Sequence, residues 1–243
     1  MLSNPKVVIV IPCYNEEHRL NTEEFRDFAA EHPEISLLFV DDGSSDGTWS
    51  VLSTLCNRNL PNLQQLRLNC NQGKAEAVRQ GLIAALKDEP DFVGFWDADL
   101  ATPLEPIIDF VSEMTQREDL LMVTGCRLVR LGARVRRRNL RHYLGRVFAT
   151  IVSNHLKLPV YDSQCGAKVL RAKAAEVVVE KPFSSKWFFD VEIFKRLIKE
   201  YGRDRVSSSV LEFPLIQWLE TPGSKLKLST AFFQLLVVLR SKP

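Results

Sequence analysis

Three short stretches of this 243-residue chain carry side chains whose types and spacing could do chemistry. Asp97-Ala98-Asp99 follows the apolar run Phe92–Trp96, which reads as a buried strand. In extended backbone, residues i and i+2 point to the same side, so the two carboxylates converge on one point. Two hard oxygen donors at a strand end suit Mg2+ or Mn2+ shared with a diphosphate. The plainer reading of the same residues is a solvated acidic loop. Asp41-Asp42-Gly43-Ser44 is a second acidic segment, made of ordinary turn residues. In the third, Asn71-Gln72-Gly73-Lys74, a glycine at a helix mouth allows close backbone approach, and Lys74 could reach a phosphate.

The elements that must position these residues are legible in the hydrophobic pattern. Val7–Ile11 and Ser36–Val40 are continuous apolar runs of the kind found in buried parallel strands. Strands over 63–68 and 92–96 follow, alternating with helices over 22–31 (Thr22 as N-cap), 48–56 and 74–87. This alternation predicts an α/β fold: a doubly wound, mostly parallel, Rossmann-like sheet with helices on both faces. Ligands of such sheets sit beyond the carboxyl ends of the strands. Asp41–Gly47 and Asp97–Asp99 both fall at that edge, as does Cys13–Glu17.

Downstream the pattern predicts a strand over 120–126, a strand over 162–170, a helix over 187–200 and a strand over 206–216. Between the first two lies an amphipathic helix, 143–158, with Leu144, Val147, Phe148, Ile151, Val152 and Leu158 as its apolar side. An apolar C-terminal helix, 226–240, is flanked by Lys225, Lys227, Arg240 and Lys242. No linker divides the chain, so residues 1–243 are expected to form a single domain with a C-terminal helical elaboration.

The formal net charge of +2 conceals an uneven distribution. Residues 1–119 carry 21 acidic and nine basic side chains, whereas 120–161 carry nine basic ones and no Asp or Glu. Eight arginines fall within 127–146. Five scattered cysteines without a C-x-x-C pair argue for a reducing compartment, and four dispersed histidines argue against zinc. The N-terminus lacks the apolar core of a signal peptide, and no apolar run is long enough to span a bilayer. Dinucleotide and P-loop glycine motifs are absent. The arginine stretch has no aromatic stacking platform beside it, so no nucleic-acid partner is expected.

Taken in order, four segments resemble the motifs of family 2 glycosyltransferases, which have the GT-A nucleotide-sugar-binding fold. They are Val-Ile-Pro-Cys-Tyr-Asn-Glu-Glu (10–17), Val-Asp-Asp-Gly-Ser-Ser-Asp-Gly-Thr (40–48), Asn-Gln-Gly-Lys-Ala-Glu-Ala-Val-Arg-Gln-Gly (71–81) and Asp-Ala-Asp-Leu-Ala-Thr-Pro (97–103). Gly-Cys-Arg (125–127), Asp-Ser-Gln-Cys-Gly-Ala-Lys (162–168), Trp-Phe-Phe-Asp-Val-Glu (187–192) and Gly-Ser-Lys-Leu (223–226) resemble the polyprenyl-phosphate branch, above all the dolichyl-phosphate glucosyltransferase type. Ala167 and Ala75 depart from that pattern, which usually has an aromatic and a glycine there, and no run in these residues is expected to match the membrane spans of such enzymes.

The resemblance implies an inverting, metal-dependent transfer of a hexose, glucose favoured, from a UDP-type nucleotide sugar to a polyprenyl phosphate. Residues 1–119 would be the nucleotide-sugar-binding half and 120–243 the acceptor-binding half, whose basic amphipathic segment covers 127–158. By the same resemblance Pro12, Tyr14 and Glu17 border the nucleotide base, with Asp42 or Asp41 hydrogen-bonding it. Lys74 and Lys225 lie near the diphosphate. Asp97 and Asp99 position the Mg2+ or Mn2+, and Arg127 with Arg137 or Arg138 holds the acceptor phosphate. Asp162 matches the position of the proposed base, with Asp190 and Glu192 as competitors. A phosphate nucleophile is already largely ionised at neutral pH, its second pKa being about 6, so Asp162 could equally orient the acceptor or hold an arginine.

The basic stretch and the basic-flanked tail together read as peripheral attachment to an anionic membrane surface, on its cytoplasmic face. A core helix with solvated arginines is the alternative for 143–158. A saccharide or protein hydroxyl is the alternative acceptor.

Overall fold

Val7–Cys13 (β1) is apolar on both faces because it lies between two parallel neighbours, Ile35–Asp41 (β2) and Phe92–Trp96 (β4). Leu63–Arg67 (β3) pairs with β2 and closes that side of the sheet. The computed structural model describes residues 5–57, 60–136, 139–186 and 188–220. Within them one sheet of seven strands runs in the order β3-β2-β1-β4-β7-β5-β8, where β5 is Met122–Cys126, β7 is Ala167–Arg171 and β8 is Val210–Pro214. All pairings are parallel except those of β7, which runs antiparallel to both β4 and β5. This is the mostly parallel α/β sheet that the pattern predicts.

Alternate residues of each strand feed two cores. Val8, Val10, Val40, Phe95 and Leu170 face Lys74–Leu86 (α3), Ala172–Val179 (α6) and Phe189–Tyr201 (α7). Ile9, Ile11, Phe39, Trp96 and Val169 face Thr22–Glu31 (α1), Thr48–Cys56 (α2) and Pro106–Gln116 (α4). Helix Asn139–Leu156 (α5) adds Val152 and Leu156 to the first core.

Four local expectations are corrected. The N-cap of α1 is Asn21, whose side chain accepts the backbone N–H of Glu24, so Thr22 is already helical. Residues 162–166 form a loop, because their backbone groups bond to Glu212 of β8 and Lys168 of β7, and β7 starts only at Ala167. The opening of the expected 206–216 strand is instead a helix, Arg203–Ser209 (α8), launched by Gly202 at φ +82°; it buries only Val206 and Ser209. Finally, Val147 and Ile151 are 59% and 40% exposed, so the buried stripe of α5 runs through Ala149, Val152 and Leu156 instead.

Helices α4 and α6 have no counterpart in the sequence expectations. Nor does a small second sheet, Arg134–Arg136 (β6) paired with Gln217–Leu219 (β9). The expected C-terminal helix 226–240, Arg137, Arg138, Trp187 and Lys225 lie outside the described residues.

The contact between β4 and β7 leaves no space at Gly94, where an added Cβ would overlap the Lys168 carbonyl oxygen. Gly94→Ala therefore has to push these central strands apart, and overpacking of this kind costs about 3 kcal/mol. Urea unfolding should show that loss as a lower midpoint with an unchanged slope.

Candidate active site

Two loops at the carboxyl edge are locked together. Asn15, in the left-handed region at φ +52°, receives a bond from the Ser45 N–H on its side-chain oxygen and donates its own N–H to Ser44 Oγ. Glu17 accepts the Gly47 N–H at 2.9 Å, and a side chain at Gly47 would collide with that carboxylate. The 41–48 turn thus fixes Asn15, Glu16 and Glu17, the residues that follow Pro12 and Tyr14 beyond the end of β1.

The two acids that begin this turn act on different partners. Asp41 is fully buried; its Oδ1 accepts the Ser44 N–H and its Oδ2 lies 3.2 Å from Arg67 Nε. Asp42 accepts the N–H groups of Gln72 and Gly73, each at 2.8 Å, and so seats the mouth of α3. Burial pushes its carboxyl above the usual range, and those two bonds restrain the rise.

From that mouth Lys74 reaches Asp97 and pairs with its Oδ1. Burial lowers the Lys74 ammonium, but Asp97, Asp190 and Asp99 together outweigh it and hold the group above its ordinary value. The Asp97 N–H donates to the Gly166 carbonyl at 3.0 Å. Gly166 has to be glycine, since a Cβ there would overlap the Asp97 carboxylate. Asp99 Oδ1 accepts the Ala101 N–H, which fixes the turn through Leu100 at φ +51°.

On the other side of the 162–166 loop stands Arg127. Its Nε donates to Asp162 Oδ2 at 2.6 Å, and its Nη2 donates to Asp162 Oδ1 at 2.7 Å and to the Gln164 carbonyl at 2.8 Å. Burial works against the guanidinium, yet Asp162 keeps it well above its ordinary pKa. Arg146 lies over the Tyr161 ring, 3.6 Å from its centroid, and donates to the Tyr161 carbonyl.

The remaining acids diverge. Asp190 Oδ1 takes the Lys168 ammonium at 2.6 Å; burial raises its carboxyl, while Lys168 and Lys74 oppose the rise. Glu192, two residues on, turns away to accept the N–H groups of Ser184 and Ser185 and the Ser184 hydroxyl. Asp97, Asp99, Lys74, Arg127, Asp162 and Asp190 are thus drawn around one loop, and Glu192 is not.

Three residues to which the sequence reading gave no role complete the arrangement: Gly166 and Lys168, which lie inside the quoted 162–168 motif, and Glu212. Lys168 and Glu212 each leave a signal, a single charge inside an apolar strand (Ala167-Lys168-Val169-Leu170 and Leu211-Glu212-Phe213). Among the described residues no group of three or more His, Cys, Asp or Glu is disposed to enclose a metal. Asp97 and Asp99 are hard oxygen donors two residues apart at the end of β4, so their chemistry fits a cation that takes its other ligands from substrate and water.

Fold and site together define a sugar-transfer enzyme of the GT-A class. The sequence signature described as glycosyl transferase family 2 matches residues 8–179, and the chain belongs to that family. It is similar to dolichyl-phosphate beta-glucosyltransferases. That of Saccharomyces cerevisiae is 32% identical over 240 residues, covering 91% of this chain and 69% of the relative. That of Dictyostelium discoideum is 27% identical over 238 residues, covering 93% and 70%. Glucosyl-3-phosphoglycerate synthase from Mycobacterium tuberculosis, crystallised with Mn2+ and UDP-glucose, shares the fold at a TM-score of 0.70 and 17% identity, covering 98% of this chain and 80% of that one.

Gly166→Ala should leave the fold intact while displacing the Asp97 carboxylate. Calorimetry of UDP with Mn2+ should then show at least a tenfold weaker complex, with no loss of UDP binding in EDTA relative to the parent protein.

Proposed function

We propose that this enzyme transfers a glucosyl unit, with inversion, from UDP-glucose to the phosphate of a polyprenyl lipid of the dolichyl type. The observation that carries this reading is the Arg127 fork. An arginine already oriented by Asp162 stands across a single loop from Asp97, so two anionic substrates can meet there.

Pro12, Tyr14, Glu17 and Asp42 form the nucleoside wall, with the fully buried Asp41 bracing the turn behind them, and Lys74 neutralises the diphosphate. Asp97 and Asp99 hold Mg2+ or Mn2+. When bound, that cation offsets the charge that grows on the leaving diphosphate. Arg127 offers the acceptor phosphate its Nη1 group, since a planar guanidinium can serve a carboxylate and a phosphate on different edges. The acceptor oxygen is already ionised near neutral pH and needs no strong base. Asp162 consequently serves Arg127, and Asp190 serves Lys168. Lys225 and either Arg137 or Arg138 are assigned to the diphosphate and the acceptor phosphate on resemblance alone.

The lipid is met at an anionic membrane surface on the cytoplasmic side. Leu131 is wholly exposed, and Val129, Ile216 and Leu219 are 55%, 64% and 43% exposed. The β6–β9 pairing sets exposed Arg134 beside Ile216 and Gln217, and Val129, Arg130 and Leu131 lie in the exposed segment that leads into β6. The Leu219 N–H also donates to the Ala101 carbonyl, which ties β9 to the Asp97–Asp99 turn. Among the described residues no helix is long and apolar enough to cross a membrane. All five cysteines are free, which suits the cytoplasmic side.

Asp99→Ala should lower kcat/KM about 10³-fold, equivalent to ~4 kcal/mol of transition-state stabilisation. EDTA should stop transfer, and full activity in EDTA would remove the metal from the scheme. The double variant Leu131→Asp/Ile216→Asp should lose flotation with phosphatidylserine vesicles while still glucosylating a short, water-soluble polyprenyl phosphate.

A further inference from the structure

Three strands place polar side chains side by side beneath the loop that separates Asp97 from Arg127. Lys168 of β7 pairs with Thr124 of β5, and Thr124 pairs with Glu212 of β8. Directly paired residues project from the same face of a sheet, so the three form one row. Lys168 is completely buried, and its ammonium spends three donors on the Ser163 carbonyl at 3.1 Å, the Cys165 carbonyl at 2.6 Å and Asp190 Oδ1 at 2.6 Å. Glu212 accepts the N–H groups of Tyr161 and Asp162, both at 2.7 Å. The cation therefore takes carbonyls of the loop and the carboxylate takes its amides.

We propose that Lys168 and Glu212 are positioning residues that set loop 161–166, and through it aim the Arg127 guanidinium at the acceptor phosphate. The loop cannot hold itself by side chains: Ser163 Oγ is buried with no hydrogen-bond partner, as is Thr124 Oγ1 beneath it. Its outward contacts are those that matter for transfer. Asp162 and the Gln164 carbonyl grip Arg127, and the Gly166 carbonyl takes the Asp97 N–H. An error in the Tyr161–Asp162 end therefore turns Arg127 first, and reaches Asp97 only through the length of the loop.

The acceptor named here rests on the polyprenyl-phosphate reading; the placement of the loop does not. Glu212→Gln exchanges one accepting oxygen for an amide donor facing a backbone N–H, so one end of the loop is released. Its KM for a short polyprenyl phosphate should rise at least tenfold with kcat within threefold. UDP affinity in the presence of Mn2+, measured by calorimetry, should stay within twofold. Cys165 is buried and its thiol is pushed up to about 11, chiefly by burial, so it is protected in the parent protein. In Glu212→Gln its labelling by N-ethylmaleimide, mapped by mass spectrometry, should quicken at least tenfold.

Lys168→Arg should retain more acceptor affinity than Lys168→Met. If Lys168→Met fails to fold for want of a partner to Asp190, the Glu212→Gln result decides alone. An unchanged acceptor KM, or a UDP–Mn2+ affinity that falls by the same factor, would overturn the assignment. If the parent protein glucosylates no polyprenyl phosphate, that substrate reading fails, and the Cys165 labelling rate still decides whether Glu212 sets the loop.

Discussion

A guanidinium almost withdrawn from water is stable only where its charge and its N–H donors are met, and Arg127 meets both demands through Asp162. Breaking such a pair from one side leaves an uncompensated buried charge, a loss of about 3–5 kcal/mol. The pair also fixes a direction. Because Nε and Nη2 are both committed to Asp162, the plane of the guanidinium is set before any substrate arrives. Preorganisation of this kind is where electrostatic catalysis gains most, since no reorientation remains to be done during reaction. The same pattern recurs inward, with Lys74 on Asp97 and Lys168 on Asp190. Cation and carboxylate alternate across the site, so neither sign of charge is left with a large uncompensated field.

The strand that runs antiparallel within the described sheet explains how these pairs come together. Parallel strands deliver the residues that follow them to the carboxyl edge, as β4 delivers Asp97 and β5 delivers Arg127. An antiparallel strand enters at that edge, so β7 delivers the residues that precede it. Inserted between β4 and β5, it places Asp162–Gly166 between Asp97 and Arg127 with no long excursion of the chain. Glu212 on β8 and Lys168 on β7 then reach that loop from below because β5 spaces them evenly.

How much of this was legible depended on how local the determining forces were. Helix 48–56 and strand 92–96 were read to the residue, because an apolar run or a helical period bounded by turn residues is a local signal. The acidic turns were placed at the correct edge for the same reason. Misreadings arose where tertiary contacts override local preference. Residues 162–170 run from polar to apolar and so read as one strand, yet Lys168 and Glu212 claim backbone groups of its polar half. Residues 203–209 carry too few apolar side chains to show a helix, and Gly202 together with packing of Val206 decides the matter. The β6–β9 pairing joins two three-residue strands some eighty positions apart, and no window of sequence contains it. Nor could the sequence separate Asp190 from Glu192, since only the helix start at Phe189 determines which carboxylate faces inward.

The basic stretch divides along the same physical line. Arg127 and Arg146 turn inward, one held by a carboxylate and a carbonyl, the other stacked on Tyr161 and bonded to its carbonyl. Arg130 and Arg134 stay in water beside exposed Leu131 and Ile216, and nowhere in 120–161 does a carboxylate weaken their field. An inward arginine contributes geometry, because its direction is fixed by bonds that salt hardly screens. An outward one contributes attraction that fades over about 8 Å at physiological ionic strength. A charge count along the chain adds the two kinds together, and only the pairing of Arg127 with Asp162 separates the one from the other.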